Sequence, residues 1–378
     1  MKNNILKLIL FIPFIIYCSD NKNIIGDEFP FIGAGDWVFS RTLYPTKSEN
    51  IRIEKYFGGK DVLLLGEFNE YSSNILIKFR TRGDFNSIKS AQMVLTPHSS
   101  IGEISSEFEG LIYEITSDWN EYEIPEISYN SNEVVSFSVY STSDKPDSII
   151  IPSGLVQKWY NDTTTNYGIM IGFKNADFIK KYFSKEGLEF PYMLIRGNIG
   201  TTEDTVYIYP EMDTHLVKSK VEPNPGELTI DDLSIYRSII KFDSISIPEN
   251  STINMALLEL VLKTEDSFIQ GESEDRLYAY RVETSSWKPD EIGFEWDSFE
   301  NQQASNFIDD NTVQINITGI FQQWVSNIKE NNGLIIKSKS YNEGAYAGKY
   351  VFNLDTLSQI EPTKLLIKYS TIKTEQQF

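Results

Sequence analysis

The feature that most constrains the fold is a short tryptophan and glycine motif that occurs twice. In each copy a tryptophan lies five residues after a glycine, and a second glycine lies nine residues after that tryptophan. The residues are Gly154, Trp159 and Gly168 in the first copy and Gly319, Trp324 and Gly333 in the second, at an offset of 165. A motif repeated with its spacing over so long an offset is typical of a duplicated domain. We therefore predict two copies of one fold, spanning 37–200 and 201–371.

Within each copy the sequence pattern is that of short strands. Runs of four to eight residues rich in β-branched and aromatic side chains are separated by Pro, Gly, Asn and Ser. Ala91, Met93 and Leu95 alternate, which places three apolar side chains on one face of a strand. Because no long helical pattern interrupts these strands, we predict an all-β protein of two tandem jelly-roll-like antiparallel β-sandwiches.

One short helical segment accompanies the strands in each copy. Leu155, Val156 and Trp159 share one face of a helix. We predict a helical plug at one end of each sandwich, with Trp159 and Trp324 in the core. Gly168 and Gly333 follow as structural positions of the same motif.

The N-terminus has the pattern of a bacterial export signal. A basic start is followed by an apolar run from Leu8 to Tyr17, too short to span a bilayer, and the run ends at Cys18, the single cysteine. This resembles the lipobox of a lipoprotein, although Tyr17 departs from the small residue usual before the cysteine. The alternative is an incidental cysteine near an ordinary cleavage site.

We predict a signal peptide over 1–18, lipid attachment at Cys18, a polar tether over 19–36 and a polar tail over 372–378. The protein would be exported and anchored in the cell envelope, at the outer membrane or cell surface. It would contact the membrane through its N-terminal lipid only. Since the mature chain has no second cysteine, an internal disulfide is excluded.

The charge balance is acidic, with a net charge of −20 over 378 residues. Residues 37–200 hold 16 basic and 21 acidic residues (−5), whereas 201–371 hold 14 and 28 (−14). This argues against nucleic acid as a partner and makes the second half a poor site for polyanions. Solubility at a wet cell surface is the simpler explanation of the charge.

The order of residues in the second copy resembles a known family. The matching positions are Arg237, Ser238, Ile240, Phe242, Asp243, Pro248, Ala256, the segment from Trp287 to Trp296, Asn316 to Gly319, Trp324 and Asn332 to Ile335. This order is similar to the DNRLRE domain family, which is grouped with carbohydrate-binding modules. The resemblance implies a jelly-roll-like sandwich in an exported bacterial protein and implies carbohydrate binding. The first copy departs from it, with Asn74 at the Arg237 position and no counterpart of Trp296.

Catalytic chemistry has little support in the sequence, and we predict that the chain is not an enzyme. The two histidines, His98 and His215, have no ligand or triad partner at a suitable spacing and are predicted to lie in loops or at the surface. The acidic doublets are predicted to be solvated turns. They are Asp231 with Asp232, Asp309 with Asp310, and Glu121 with Glu123. No cofactor is predicted, while a structural calcium ion in a loop stays open.

Exposed aromatic side chains are the remaining candidates, because the apolar faces of sugar rings stack on flat rings. Trp296 occurs in one copy only, in an acidic stretch, and is the first candidate for a carbohydrate contact. The other candidates are Trp37, Tyr122, Trp119 and Trp287. For the last two a core position is the alternative.

Three functions remain open. The first is a non-catalytic envelope lipoprotein that binds or organises polysaccharide or surface matrix. The second is a structural or adhesive spacer, which predicts that all the conspicuous aromatic residues are buried. The third is a polysaccharide hydrolase or lyase, which predicts a cleft with paired carboxylates. The glycan and the oligomeric state are not determined by the sequence.

Overall fold

The computed structural model describes residues 37–371, apart from 54–56, 82–83, 104–106, 124–125, 141–144, 244, 271–276, 290, 293–301, 308, 310 and 340. The predictions for the signal peptide, Cys18, the tether, the tail and Trp296 lie outside these residues. For Trp37 the backbone is described but the side chain is not.

Strands make up most of the described chain, and its two α-helices are short. The first half contains β1 (Trp37–Leu43), β2 (Lys47–Arg52), β3 (Val62–Phe68), β4 (Tyr71–Phe79), β5 (Phe85–Leu95), β6 (Pro97–Ile101), β7 (Phe108–Glu114), β8 (Val135–Val139), β9 (Asp147–Ile151), α1 (Ser153–Asn161), β10 (Ile169–Lys174), β11 (Ile179–Phe183) and β12 (Tyr192–Ile199). The second half contains β13 (Thr202–Ile208), β14 (Pro210–Ser219), β15 (Glu227–Asp231), β16 (Tyr236–Lys241), β17 (Thr252–Val261), β18 (Phe268–Ile269), β19 (Leu277–Arg281), β20 (Gln302–Phe307), β21 (Thr312–Asn316), α2 (Thr318–Val325), β22 (Leu334–Ser338), β23 (Gly348–Asn353) and β24 (Lys364–Thr371). The prediction of an all-β protein with one short helix in each copy is confirmed.

The first sandwich consists of two antiparallel sheets. The larger sheet has the strand order β6-β11-β3-β4-β10-β7-β8, and β14 pairs along the length of β4. The smaller sheet has the order β13-β12-β5-β9. Alternating side chains from both sheets meet in one core, including Leu63 and Ile75 from the larger sheet and Met93 and Ile195 from the smaller.

The second sandwich repeats this order strand for strand. Strands β1-β24-β17-β21 correspond to β13-β12-β5-β9, and β20-β19-β22-β16-β15-β23-β18 correspond to β8-β7-β10-β4-β3-β11-β6. Strand β2 beside β16 corresponds to β14 beside β4. One difference is that β20 pairs with β21, which makes the two sheets of the second sandwich continuous. The duplication therefore extends to every described strand.

The two copies exchange their first two strands, so the predicted boundaries 37–200 and 201–371 are not those of the folded units. Strand β1 pairs with β24, from Trp37↔Thr371 to Leu43↔Leu365, and β2 pairs with β16. Strands β13 and β14, which open the second copy in sequence, pair with β12 and β4. The first sandwich is therefore the continuous segment 57–221, and the second combines 37–53 with 222–371.

The exchange removes the charge asymmetry expected from the sequence halves. Residues 57–221 hold 14 basic and 23 acidic residues, a net charge of −9. Residues 37–53 together with 222–371 hold 15 basic and 25 acidic residues, a net charge of −10. Bulk charge therefore does not favour one sandwich over the other for a charged ligand.

The repeated helices close equivalent ends of the two cores. Trp159 on α1 is 1% exposed in the first core, and Trp324 on α2 is 5% exposed in the second. The side-chain oxygen of Gln157 accepts the Ile88 N–H at 2.7 Å, and that of Gln322 accepts the equivalent Ile253 N–H at 2.7 Å. Each helix is thus held to its sheet by the same hydrogen bond.

The sandwiches pack on each other through a buried cluster to which both contribute. The first sandwich supplies apolar side chains such as Leu64 and Ile179, and the second supplies Leu233 and Ala347. At the same contact, the Nε2 atom of His215 on β14 lies 2.7 Å from the carbonyl oxygen of Gly344. These contacts fix the two sandwiches relative to each other.

Candidate functional site

Trp119 and Trp287 lie at equivalent buried positions in the two sandwiches. They are 4% and 6% exposed. The indole N–H of Trp119 donates to the Tyr167 carbonyl oxygen at 2.8 Å, and that of Trp287 donates to the Asn332 carbonyl oxygen at 2.9 Å. A buried ring has no free face for a sugar, so a carbohydrate contact by either tryptophan is incompatible with its burial. Both are core residues.

Tyr122 is the one predicted contact that is exposed among those whose side chains are described. Its side chain is 59% exposed. It lies in a turn in which the Asn120 side-chain oxygen accepts the Tyr122 N–H at 2.9 Å. The adjacent Glu121 carboxylate raises the pKa of the Tyr122 hydroxyl. Tyr122 is therefore neutral at physiological pH and accessible to a ligand.

One acidic doublet and one member of a second are buried, not solvated as we expected. Asp231 and Asp232 are 1% and 0% exposed, and Glu121 is 6% exposed, whereas Glu123 is exposed as predicted. Burial raises the pKa of Asp231, whose carboxylate also accepts hydrogen bonds from the Tyr71 hydroxyl and the Ser234 N–H. The buried Asp231 and Glu121 carboxylates thus accept hydrogen bonds from other chain segments inside the protein. The remaining doublet keeps the expected environment at its described member, since Asp309 is exposed.

The prediction of a surface or loop histidine is wrong for His215. This residue is 0% exposed in the middle of β14. Its ring stacks on Phe57 with a centroid distance of 4.8 Å. Burial lowers the pKa of His215 to about 4, so the imidazole is neutral at physiological pH. Its function in the fold is to join the two sandwiches.

Buried carboxyl groups meet in one polar cluster of the first sandwich. The Nζ atom of Lys185 lies 2.9 Å from Oε1 of Glu121, and the Lys185 N–H donates to Oδ2 of Asp213 at 2.7 Å. The Asp213 N–H donates to Oε2 of Glu121 at 3.2 Å. Burial raises the pKa of Asp213 to about 8. Because these bonds tie three separate chain segments together, a structural function accounts for the cluster.

A group of aromatic side chains, which the sequence analysis missed, lies at the outer surface of the β12–β13 hairpin of the first sandwich. We call Phe190, Tyr192, Tyr207 and Tyr209 the aromatic face. The rings of Phe190 and Tyr209 meet edge to face with centroids 5.4 Å apart, and those of Tyr192 and Tyr207 are tilted with centroids 5.6 Å apart. Phe190, Tyr207 and Tyr209 are 45%, 55% and 49% exposed. The Tyr192 side chain is partly buried.

The alternation of the β12–β13 hairpin directs these rings outward. On β12, Met193 and Ile195 enter the core, so Tyr192 lies on the opposite face. On β13, Ile208 enters the core, so Tyr207 and Tyr209 on either side of it lie on the outer face. The sequence signal is therefore two pairs of aromatic residues, each pair two positions apart. One pair lies where β12 begins and the other where β13 ends.

The equivalent surface of the second sandwich has a different character. Lys364 pairs with Glu259 in the register in which Tyr192 pairs with Val94. Thr42 is opposite Leu366, as Tyr207 is opposite Leu194. The Lys364 ammonium also lies 3.5 Å from a carboxylate oxygen of Glu259. The tilted Tyr192–Tyr207 pair is thus replaced by a lysine and a threonine.

No protein-family model matches the sequence, and no similar curated protein is found. The resemblance to the DNRLRE family therefore remains a prediction from the quoted residues. In the described part of the chain, no helix has the length and apolar character needed to cross a bilayer. Over the same residues, no group of three or more His, Cys, Asp or Glu side chains is arranged to hold a metal ion.

Proposed function

We propose that this chain is a non-catalytic lipoprotein of the bacterial cell envelope and that it binds polysaccharide through the aromatic face. The observation that carries the proposal is the pairing of the Phe190 ring with Tyr209 and of the Tyr192 ring with Tyr207 on the outer side of one hairpin, with three of the four side chains exposed. Flat rings at a sheet surface provide apolar area for sugar C–H groups, and tyrosine hydroxyls add hydrogen bonds.

Polar side chains complete this surface. Gln92 on β5 lies next to Leu194 in the register, and Arg196 lies two positions further along β12 on the same face. Such groups supply donors and acceptors for sugar hydroxyls beside the rings. The DNRLRE resemblance and the predicted export signal support the same function. In this proposal the partner is polysaccharide or surface matrix, and the lipid at Cys18 holds the protein at the outer membrane or cell surface.

The test is affinity electrophoresis of the full chain in gels that contain neutral or acidic polysaccharides, with and without calcium. Tyr192→Ala with Tyr207→Ala should abolish the retardation by the polymer that retards the unchanged protein. Tyr122→Ala should leave the retardation unchanged, because Tyr122 is not part of the aromatic face.

The matched control is Lys364→Ala with Thr42→Ala, which changes the same sheet positions in the second sandwich. We expect this control to be retarded like the unchanged protein. Retardation that survives the loss of Tyr192 and Tyr207 would contradict the aromatic face as the binding surface. Absence of retardation by every polymer would contradict polysaccharide binding.

A second candidate function is a structural or adhesive spacer. The observation that favours it is the burial of the four described tryptophans, Trp119, Trp159, Trp287 and Trp324. The exchanged strands and the buried contact between sandwiches would suit a stiff spacer. This function predicts that protein or matrix, rather than a soluble polysaccharide, is the ligand.

A further inference from the structure

The strand pair β1–β2 belongs to the second sandwich in its contacts but is attached to the first in sequence. Seven residue pairs join β1 to β24, and six join β2 to β16. The Asn50 side chain on β2 also bonds to the backbone of β15. It donates to the Glu227 carbonyl oxygen at 2.9 Å and accepts the Thr229 N–H at 2.9 Å. Residues 37–52 are therefore a donated element.

Apolar and aromatic contacts also join β2 to the second sandwich. Ile51 is 3% exposed in a cluster with Trp287 and Ile335 of the second sandwich. The Lys47 ammonium lies 3.7 Å above the centre of the Trp287 ring, a favourable cation–π geometry. The second sandwich therefore depends on the donated pair to cover part of its larger sheet.

The first sandwich obtains the equivalent strands in another way. Strand β13 follows β12 directly, with Ile199 opposite Thr202 across a turn that contains Gly200 at φ +62°. Its strand pair is thus supplied by the adjoining chain through a hairpin. The second sandwich takes β2 from residues about 190 positions from β16 in sequence, and β1 from residues about 330 positions from β24. Only the second sandwich receives this strand pair from a segment that is not continuous with the rest of its sequence.

A donated element makes the same contacts whether its own chain or another copy supplies it, which is the basis of domain swapping. Strand β1 lies at the end of its sheet beside β24, and β2 pairs with β16 outside the main strand order, so exchange breaks these two pairings and uncovers the Ile51 contact with Trp287. A tethered segment has an effective concentration in the millimolar range, so the closed monomer prevails in dilute solution. Crowding on a surface, or refolding at high concentration, favours supply by a neighbour.

We propose that residues 37–52 are an exchangeable strand pair and that the partner that accepts them is a second copy of this chain. One copy's β1 and β2 then lie on β24 and β16 of the other, and reciprocal exchange gives a closed dimer. The same exchange carried out head to tail gives a linear assembly. This proposal is independent of the ligand of the aromatic face.

The test is disulfide trapping in the full chain with Cys18→Ser, which removes the only native thiol. Ser40 and Lys368 are directly opposite on β1 and β24. Ser40→Cys and Lys368→Cys are made in separate chains, mixed in denaturant, refolded together over a range of concentrations and oxidised. A product of twice the mass on a non-reducing gel, increasing with concentration and lost on reduction, is the expected result.

The matched control uses Thr205→Cys and Arg196→Cys, also in separate chains, because these residues face each other at the same position of the β12–β13 hairpin. This mixture should stay monomeric, since a hairpin closes within its own chain. A mixture of the Ser40→Cys and Lys368→Cys chains that gives no more linked dimer than this control would overturn the proposal.

A second measurement needs no cysteine pair. When the Cys18→Ser chain alone is refolded at increasing concentration, size-exclusion chromatography with light scattering should show a shift from monomer to dimer. A monomer after refolding at every concentration would overturn the proposal as well.

Discussion

Trp119 and Trp287 make the same hydrogen bond 168 residues apart, each to the carbonyl of the residue that precedes a motif glycine. Those glycines, Gly168 and Gly333, have φ values of +87° and +103°. The tryptophan N–H thus holds the chain where it turns into β10 or β22. The repeated pattern of tryptophan and glycine is explained by this packing and not by ligand binding.

Replacing either glycine should destabilise its sandwich. A Cβ atom at Gly168 would lie 2.4 Å from the Ile77 carbonyl oxygen, and one at Gly333 would lie 2.7 Å from that of Ile240. The positive φ alone costs about 1–3 kcal/mol in a residue with a side chain. Gly168→Ala and Gly333→Ala should therefore lower the free energy of unfolding by at least this amount, which a lower urea midpoint at an unchanged m value would show.

Gly154 on α1 is the control for this prediction, because no heavy atom lies within 4 Å of a Cβ placed there. Gly154→Ala should be neutral or stabilise the protein by about 0.5–1 kcal/mol through helix propensity. Equal midpoints for the unchanged protein and the two motif variants would show that the backbone at the motif tolerates a side chain.

The two helix tryptophans should each contribute strongly to the stability of their own sandwich. Trp159→Ala or Trp324→Ala should reduce the free energy of unfolding by about 3–5 kcal/mol. The indole nitrogen of each is buried without a hydrogen-bond partner in the described chain. Trp→Phe at either position should therefore cost clearly less than Trp→Ala. Calorimetry of the variants measures both effects, and unchanged melting of the alanine variants would refute the helical plug.

The strands, the duplication and the helical plugs could be predicted because they depend on local signals. Alternation at Ala91, Met93 and Leu95 and the spacing from Trp159 to Gly168 need no knowledge of distant partners. The exchange of strands could not be predicted in this way, since β1 and β13 occupy equivalent positions in the repeat and their local patterns do not identify the sandwich that each joins. Loop-closure entropy determines which strand pairs with β12. Because β13 follows β12 through a short hairpin, it reaches β12 at a small entropic cost.

The candidate site was harder to predict than the fold. Exposure separates a binding aromatic residue from a core one, and the sequence around Trp119 and Trp287 contains no signal for it. Aspartates 231 and 232 show the same limitation, because a doublet beside a turn is usually solvated and here it is buried. The aromatic face had a signal in the spacing of Tyr207 and Tyr209, two positions apart at the end of β13.

Asp213 should make stability fall as the pH rises. Burial raises its pKa to about 8 from an ordinary 3.8, so the folded state holds a proton that the unfolded state has lost between these values. The stabilisation is therefore complete below pH 4 and lost as the pH rises towards 8. Glu121 and Glu186 also raise this pKa, while Lys185 opposes them.

Asp213→Asn removes this titration and keeps a side-chain oxygen for the Lys185 N–H. Its melting temperature should rise relative to that of the unchanged protein between pH 5 and pH 9. His215, whose pKa is lowered to about 4, loses its stabilising effect as the pH falls below about 6.5, but it does so in both proteins. Asp309→Asn at an exposed turn is the control. Parallel melting curves for Asp213→Asn and the unchanged protein would show that Asp213 does not titrate in this range.

Fragments cut at the structural boundaries should fold better than fragments cut at the sequence repeat. Residues 57–221 contain every described strand of the first sandwich, whereas 37–200 lack β13 and β14 and carry β1 and β2 without their partners. We expect 57–221 to unfold cooperatively, as followed by circular dichroism, and 37–200 to show no cooperative transition. For the second sandwich, residues 222–371 alone leave the β24 and β16 edges uncovered.

A synthetic peptide of residues 37–53 should restore the cooperative unfolding of 222–371. A peptide of residues 202–219 carries the equivalent strands of the other sandwich and should restore it less well. Cooperative folding of 37–200 and 201–371 as separate chains would mean that the exchanged pairing is not required for either sandwich.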